Sequence, residues 1–268
     1  MKVNNFNFNV ILLMLTGNLF FCTTKKLKCN FLIIFCLFNC VVNAQMANEK
    51  TVTWDYPINL GSDGWNQCNS PSEIYEKLNI PEDVLMKLDT ESLVQICLDY
   101  PAVSIFFVTN TPQQGFDGFF VQFNGIRELM SRNDVGHFLL RKYSSMTLND
   151  FNPLWTLENQ GDFTLKFYYM ELFLVQQQSL QSMDVSERKL LLKESMRKYE
   201  LKKSRSDLFG GNSLVMSTWI LAKTLHVENK LKTNFSDLSN VEYSLNTGVI
   251  IDFDVPSVFQ QAKKYSDE

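Results

Sequence analysis

The chain has 268 residues, 45% of them hydrophobic and 13% aromatic, which argues against a disordered or fibrous protein. Phe is abundant at 22 residues while Gly and Pro number only 11 and 7, a balance that disfavours an all-β sandwich with many tight turns. The net charge of −4 hides an asymmetry: residues 1–44 carry four lysines and no acid, and the remainder holds 21 basic and 29 acidic residues, a net −8 that argues against nucleic-acid partners and anionic membrane surfaces.

Two apolar stretches open the chain, at 10–22 and 31–42, with Lys25-Lys26-Leu27-Lys28 between them. Neither reaches the roughly 20 residues needed to span a hydrocarbon core. A basic flank, a short apolar run and the small residues of Val42-Asn43-Ala44 predict a secretory signal peptide cut between Ala44 and Gln45. The mature protein is then exported (periplasmic, cell-surface or secreted) and keeps no transmembrane helix. A start at Met14, a lipid anchor on Cys40 and an uncleaved anchor are the alternatives.

Residues 45–69 read as an extended N-terminal arm, rich in turn formers at Asn59, Gly61, Ser62, Asp63 and Gly64. Residues 70–268 read as a single helical domain. Ser70-Pro71-Ser72-Glu73 has the residue types of a helix start, and Pro81 opens a second helix. Thr90 caps a third, which Pro101 stops. Residues 102–109 fit a buried strand or a short buried helix equally well. The apolar spacing predicts one helix over 113–131 and, after Asn133-Asp134, another. A long helix, apolar nearly all round, is predicted over 162–182. Asp184-Val185-Ser186-Glu187 starts a charged helix to about Ser204. Gly210-Gly211-Asn212-Ser213 separates it from an apolar helix holding Trp219, Ile220, Ala222 and Leu225. Residues 249–253 read as extended, 257–265 as a last short helix, and 266–268 as frayed. The expected fold is all-α: an irregular bundle or array of antiparallel helical hairpins, about eight or nine helices.

Chemistry is harder to find. Four cysteines lie in the leader, leaving Cys68 and Cys97. A disulfide between them would close a loop of about 30 residues, worth roughly 3–4 kcal/mol. Two buried free thiols is the other reading, and the two stay open. The only histidines are His137 and His226, and no metal-ligand spacing surrounds them, so no metal site is expected. A helix C-terminus is enough to explain His226. Cys68 with His137 is the one nucleophile–base combination that the residue types allow. Gly210-Gly211-Asn212-Ser213 could hold an anion at a helix start, or be a flexible turn with an Asn cap. No acidic pair and no cofactor motif stands out.

Arg188, Lys189, Lys193, Arg197, Lys198, Lys202, Lys203 and Arg205 form a basic block on an acidic protein, with Leu190, Leu191, Met196 and Tyr199 as its apolar face. It reads either as a solvated outer helix with a Glu194–Lys198 pair or as a docking surface for an acidic partner or a second copy.

The stretch Tyr100-Pro101, Gln114-Gly115-Phe116, Phe123-Asn124-Gly125-Ile126-Arg127-Glu128-Leu129 and Arg132-Asn133-Asp134 resembles uncharacterised exported bacterial helical proteins of unknown function, over roughly residues 75–145. The resemblance implies a secreted helical protein and carries no activity or site residue. Asn124-Gly125 inside the expected helix points to close helix packing or a kink, since Gly there costs up to about 1 kcal/mol relative to Ala. The functional expectation is an exported binding or interaction module acting on an unknown protein or envelope component, with no cofactor. The alternative is an envelope hydrolase using carboxylates or a Cys68 nucleophile.

Overall fold

Short polar side chains decide where the helices begin. The computed structural model describes residues 53–103, 108–232, 238–251 and 254–268. The leader, Cys40, the expected cut between Ala44 and Gln45, and residues 104–107 of segment 102–109 lie outside the described residues. Helix α1 (Asp63–Asn66) follows Ser62, whose hydroxyl accepts from the Trp65 amide. Helix α2 (Pro71–Leu78) starts as its sequence predicts, with the Ser70 hydroxyl accepting from the Glu73 amide and Pro71 at the first position. Helix α3 (Glu82–Leu85) is a single turn after Pro81. Helix α4 (Thr90–Leu98) is capped by Asp89 rather than by Thr90. The Asp89 carboxylate accepts from Ser92 at 2.7 Å, which frees the Thr90 hydroxyl to donate to Asp134 at 2.9 Å.

The stretch expected as one helix over 113–131 is two, α5 (Pro112–Gln122) and α6 (Asn124–Ser131). They meet at Phe123, whose backbone is extended (φ −115°, ψ 119°). The break is held from outside. The Asn124 side chain accepts from the Ile80 amide at 2.9 Å and donates to the Ile80 carbonyl at 2.7 Å, while its backbone N–H donates to the Asn79 side chain at 2.8 Å. Gly125 permits this approach, because a Cβ there would stand 2.3 Å from Phe123 Cζ and 3.1 Å from Ile80 Cδ1.

Helix α7 (Val135–Ser145) follows, then a 3-10 turn (Leu148–Asp150). The predicted 162–182 helix is also two, α8 (Leu157–Leu174) and α9 (Gln177–Gln181). At the joint Gln176 is extended, and its side chain donates to the Leu172 carbonyl at 2.8 Å. The Ser179 hydroxyl donates to the Phe173 carbonyl at 2.7 Å, so carbonyls left over at the helix end are still satisfied. Helix α10 (Val185–Ser204) opens with a complete capping box between Asp184 and Glu187. After α11 (Ser206–Phe209), Gly210 turns the chain at φ +67° into α12 (Asn212–Val227). Helices α13 (Leu238–Thr247) and α14 (Val255–Asp267) complete the chain, and the tail expected to fray is helical through Asp267.

Among the described residues there are fourteen α-helices and no strand. The excess over eight or nine comes from one-turn helices, too short to show periodicity, and from the two splits. The described residues fall in one unit, Val52–Glu268. Its main core is aromatic at the centre: Tyr100, Phe119, Phe123 and Phe173 are buried, with ring centroids 4.5–6.0 Å apart for Tyr100–Phe123, Tyr100–Phe119 and Phe119–Phe173. A second cluster, including Leu192, Leu221, Leu225, Val241, Val258 and Ala262, lies where α10, α12, α13 and α14 meet. Ile58 belongs to the main core, and the Tyr56 hydroxyl donates to the Ile96 carbonyl at 2.8 Å, so segment 53–62 is packed onto the helices. No helix among the described residues is long and apolar enough to cross a membrane.

Candidate functional site

Two lysines of the basic block of α10 do not face solvent. Lys198 and Lys202 point into the core and are essentially unexposed. Lys202 Nζ donates to Glu171 Oε2 at 2.5 Å, to the Ser213 carbonyl at 3.0 Å and to Ser217 Oγ at 3.0 Å, which uses all three ammonium hydrogens. Glu171 is also sealed, and its Oε1 accepts from Tyr143 at 2.6 Å and from Ser217 at 2.8 Å. Burial holds the Lys202 ammonium below its usual pKa, against the pull of Glu171. Burial, and then the Glu171 charge, push the Tyr143 phenol well up. Lys198 donates to the Met146 carbonyl and lies over the Tyr143 ring, and burial lowers it to about 8. The expected Glu194–Lys198 pair is therefore not made: Glu194 takes Arg197 instead, at 2.6 Å.

Most of the other cations of the block also meet partners within the fold. Arg188 binds Glu228 and the Leu180 and Met183 carbonyls. Lys189 sits over the Tyr265 ring, and Lys193 pairs with Asp267 at 3.4 Å. Lys193, Arg197 and Lys203 remain exposed on α10, whereas Lys198 and Lys202 are withdrawn from any surface there. What they build is an internal pin joining α7, α8, α10 and α12, closed to solvent.

Cys68 and Cys97 are both free thiols, so the disulfide is not formed. Cys97 is buried in the main core, and burial pushes its thiol up. Cys68 receives a hydrogen bond from Lys77 Nζ at 3.4 Å and donates to the Gly64 carbonyl at 3.3 Å. His137 Nδ1 lies 2.7 Å from Glu187 on α10. Cys68 and His137 thus have separate partners, and no nucleophile–base contact joins them. Asn212 begins α12 directly after Gly211, so Asn212 is not the cap residue and no side chain caps this helix start. Among the described residues no three His, Cys, Asp or Glu side chains are grouped to hold a metal.

A different place gathers mixed chemistry at the surface. Helix α12 ends through Asn229, which is left-handed (φ 55°), and the amides of Lys230 and Leu231 return to the Leu225 carbonyl at 2.8 and 3.1 Å. That turn brings Leu231 back beside α12. Helix α13 is clamped alongside: the Trp219 indole donates to the Leu245 carbonyl at 2.9 Å, and Gly248 (φ +78°) leaves room for the Trp219 ring, which a Cβ would meet at 2.7 Å. Between them lies a groove of about 380 Å³. Val227, Leu231, Val241 and Leu245 form its apolar part, and Lys223, His226, Gln177, Glu242 and Asn246 bring polar groups. Lys223 and His226 share a face of α12 by their spacing of three. Lys223 is half-buried, and its ammonium lies 5.3 Å from the Trp219 ring centroid. Among the described residues it has no hydrogen bond and no ion pair within 4 Å. Burial lowers its pKa to about 8, and the more distant Asp117 offsets only part of that.

Sequence reading missed Lys223. The available signal was one cation interrupting the apolar run from Trp219 to Leu225. Another groove, about 470 Å³, is lined by Trp54, Asn59, Gln95 and Asp99; Gln95 pairs with Asp99 at 2.5 Å and Asp99 with Lys166 at 2.6 Å, while the buried Trp54 indole N–H has no hydrogen-bond partner among the described residues. Comparison with protein-family models, with characterised proteins and with solved structures finds no match for this chain.

Proposed function

We propose that the protein is an exported helical binding module whose ligand site is the groove between α12 and α13. The observation that carries this reading is Lys223, a half-buried cation without a charge partner in contact, lining a concave surface that is part apolar and part polar. Grooves of this make-up suit small molecules, and a volume of about 380 Å³ sits at the small end of the usual range. Export rests on the signal-like composition of residues 1–44. The hydrolase alternative through Cys68 lacks support, since Cys68 binds Lys77 and His137 binds Glu187.

Fragment screening by NMR of the purified chain tests the site. Binders are expected to move α12 and α13 resonances and to lose affinity in Lys223→Met. Binders clustering around Trp54 and Asp99 would overturn the assignment. Mass spectrometry of the exported protein is expected to find Gln45 at the N-terminus, and a chain retaining residues 1–44 would overturn cleavage at this point.

A further inference from the structure

The charges around the α12–α13 groove narrow its ligand. Lys223 is the one ammonium on its lining, and no acid neutralises it at contact distance. A cation of this kind, held partly out of water, gains most from an anion arriving with the ligand. The anion has to be modest. Helix α12 meets the groove with its last turn, whose carbonyl end carries partial negative charge, and Glu242 stands exposed on the opposite wall. Both work against a dianion. A cationic ligand would face Lys223 itself. The remaining wall, Val227, Leu231, Val241 and Leu245, favours an alkyl chain over a polyhydroxyl one.

We propose that this groove binds a small monocarboxylate with an apolar tail, Lys223 receiving the carboxylate and the α13 face receiving the chain; the proposal rests on the groove being the ligand site. Lys223 then regains the charge partner it lacks, and its amine pKa rises on binding.

The test compares octanoate, 1-octanol and octylamine, which share a chain and differ in head group, by calorimetric titration and by NMR of the intact chain. Octanoate is expected to bind at least about tenfold more tightly than octanol, with octylamine weakest. Lys223→Met is expected to weaken octanoate about tenfold and leave octanol unchanged, and Glu242→Gln to tighten octanoate about two- to threefold by removing a like charge. The lysine-selective NMR signal of Lys223 is expected to titrate at higher pH with octanoate present. Amide spectra of the variants confirm that they are folded. Octanol or octylamine binding as tightly as octanoate in the groove would overturn the carboxylate while leaving the site. Weakened octanoate in Glu242→Gln would show that Glu242 does not act as a repelling like charge and would overturn the charge argument too. Probe-induced shifts outside α12 and α13 would overturn the site itself, and the absence of binding by all three would overturn the carboxylate class.

Discussion

Lys202→Met tests whether the internal pin is held by its charges. The substitution keeps the length of the side chain and removes the ammonium. Glu171 then remains sealed with only the Tyr143 and Ser217 hydroxyls as donors, and the Ser213 carbonyl loses its lysine donor. Removing one partner of a buried ion pair costs about 3–5 kcal/mol, because the other charge is stranded away from water. With a urea m-value of about 2–3 kcal/mol/M, the unfolding midpoint should fall by about 1–2 M. The double variant Glu171→Gln with Lys202→Met separates stranding from general damage. Gln keeps an acceptor for Tyr143 and Ser217 and carries no charge, so the double variant should recover about 1–3 kcal/mol relative to Lys202→Met alone. Urea melts followed by circular dichroism measure both. A loss under about 1 kcal/mol for Lys202→Met, or a double variant as unstable as the sum of the singles, would refute the reasoning.

Other predictions draw on different parts of the molecule. Gly136→Ala on α7 would place a Cβ 2.3 Å from the Ser179 carbonyl oxygen and 2.6 Å from Met183 Cγ, so α9 must shift and thermal melts should show a loss of about 1–3 kcal/mol. Asp184→Ala breaks the capping box of α10 and should cost about 1 kcal/mol in the same assay. For Lys198, the folded pKa of about 8 lies below the unfolded value, so the unfolded chain binds the extra proton in the interval. That group's contribution therefore makes stability rise with pH from about 8 upward, and the difference between wild type and Lys198→Met should grow between about pH 8 and 9.5. A pH-independent difference would contradict an inward-facing Lys198. Thiol titration of the native protein should label Cys68 readily and Cys97 only on unfolding, since Cys97 is sealed and its thiol is held protonated.

Local chemistry made much of the fold legible. Ser70-Pro71 and Asp184 with Glu187 are complete start signals within four residues, and both helices begin where those residues say. The splits at Phe123 and Gln176 were not legible in the same way. Apolar spacing continues smoothly across both, and the break at Phe123 depends on Asn79 and Ile80, more than 40 residues away. The basic block misled for a related reason. A lysine on a helix reads as solvated until its facing residue is known, and Lys202 is buried only because Glu171 arrives from α8. The hint was Glu171 itself, a lone acid inside the apolar run from Phe167 to Val175. Lys223 left the same kind of trace, but nothing local says that it opens on a groove shaped by the α12 terminus and α13.

The clasp between Asn124 and Ile80 has a chemical corollary. In a free chain the Gly125 nitrogen can attack the Asn124 side-chain amide, expelling ammonia and closing a succinimide that water then opens to aspartate or isoaspartate. Here the amide is held at both ends by Ile80 and the backbone on either side is fixed in α6, so native molecules are shielded from that ageing reaction. A molecule that unfolds loses the shield. If it deamidates, it offers an oxygen where the Ile80 carbonyl needs a donor, and each excursion out of the native state risks leaving a permanent covalent mark at the joint between α5 and α6.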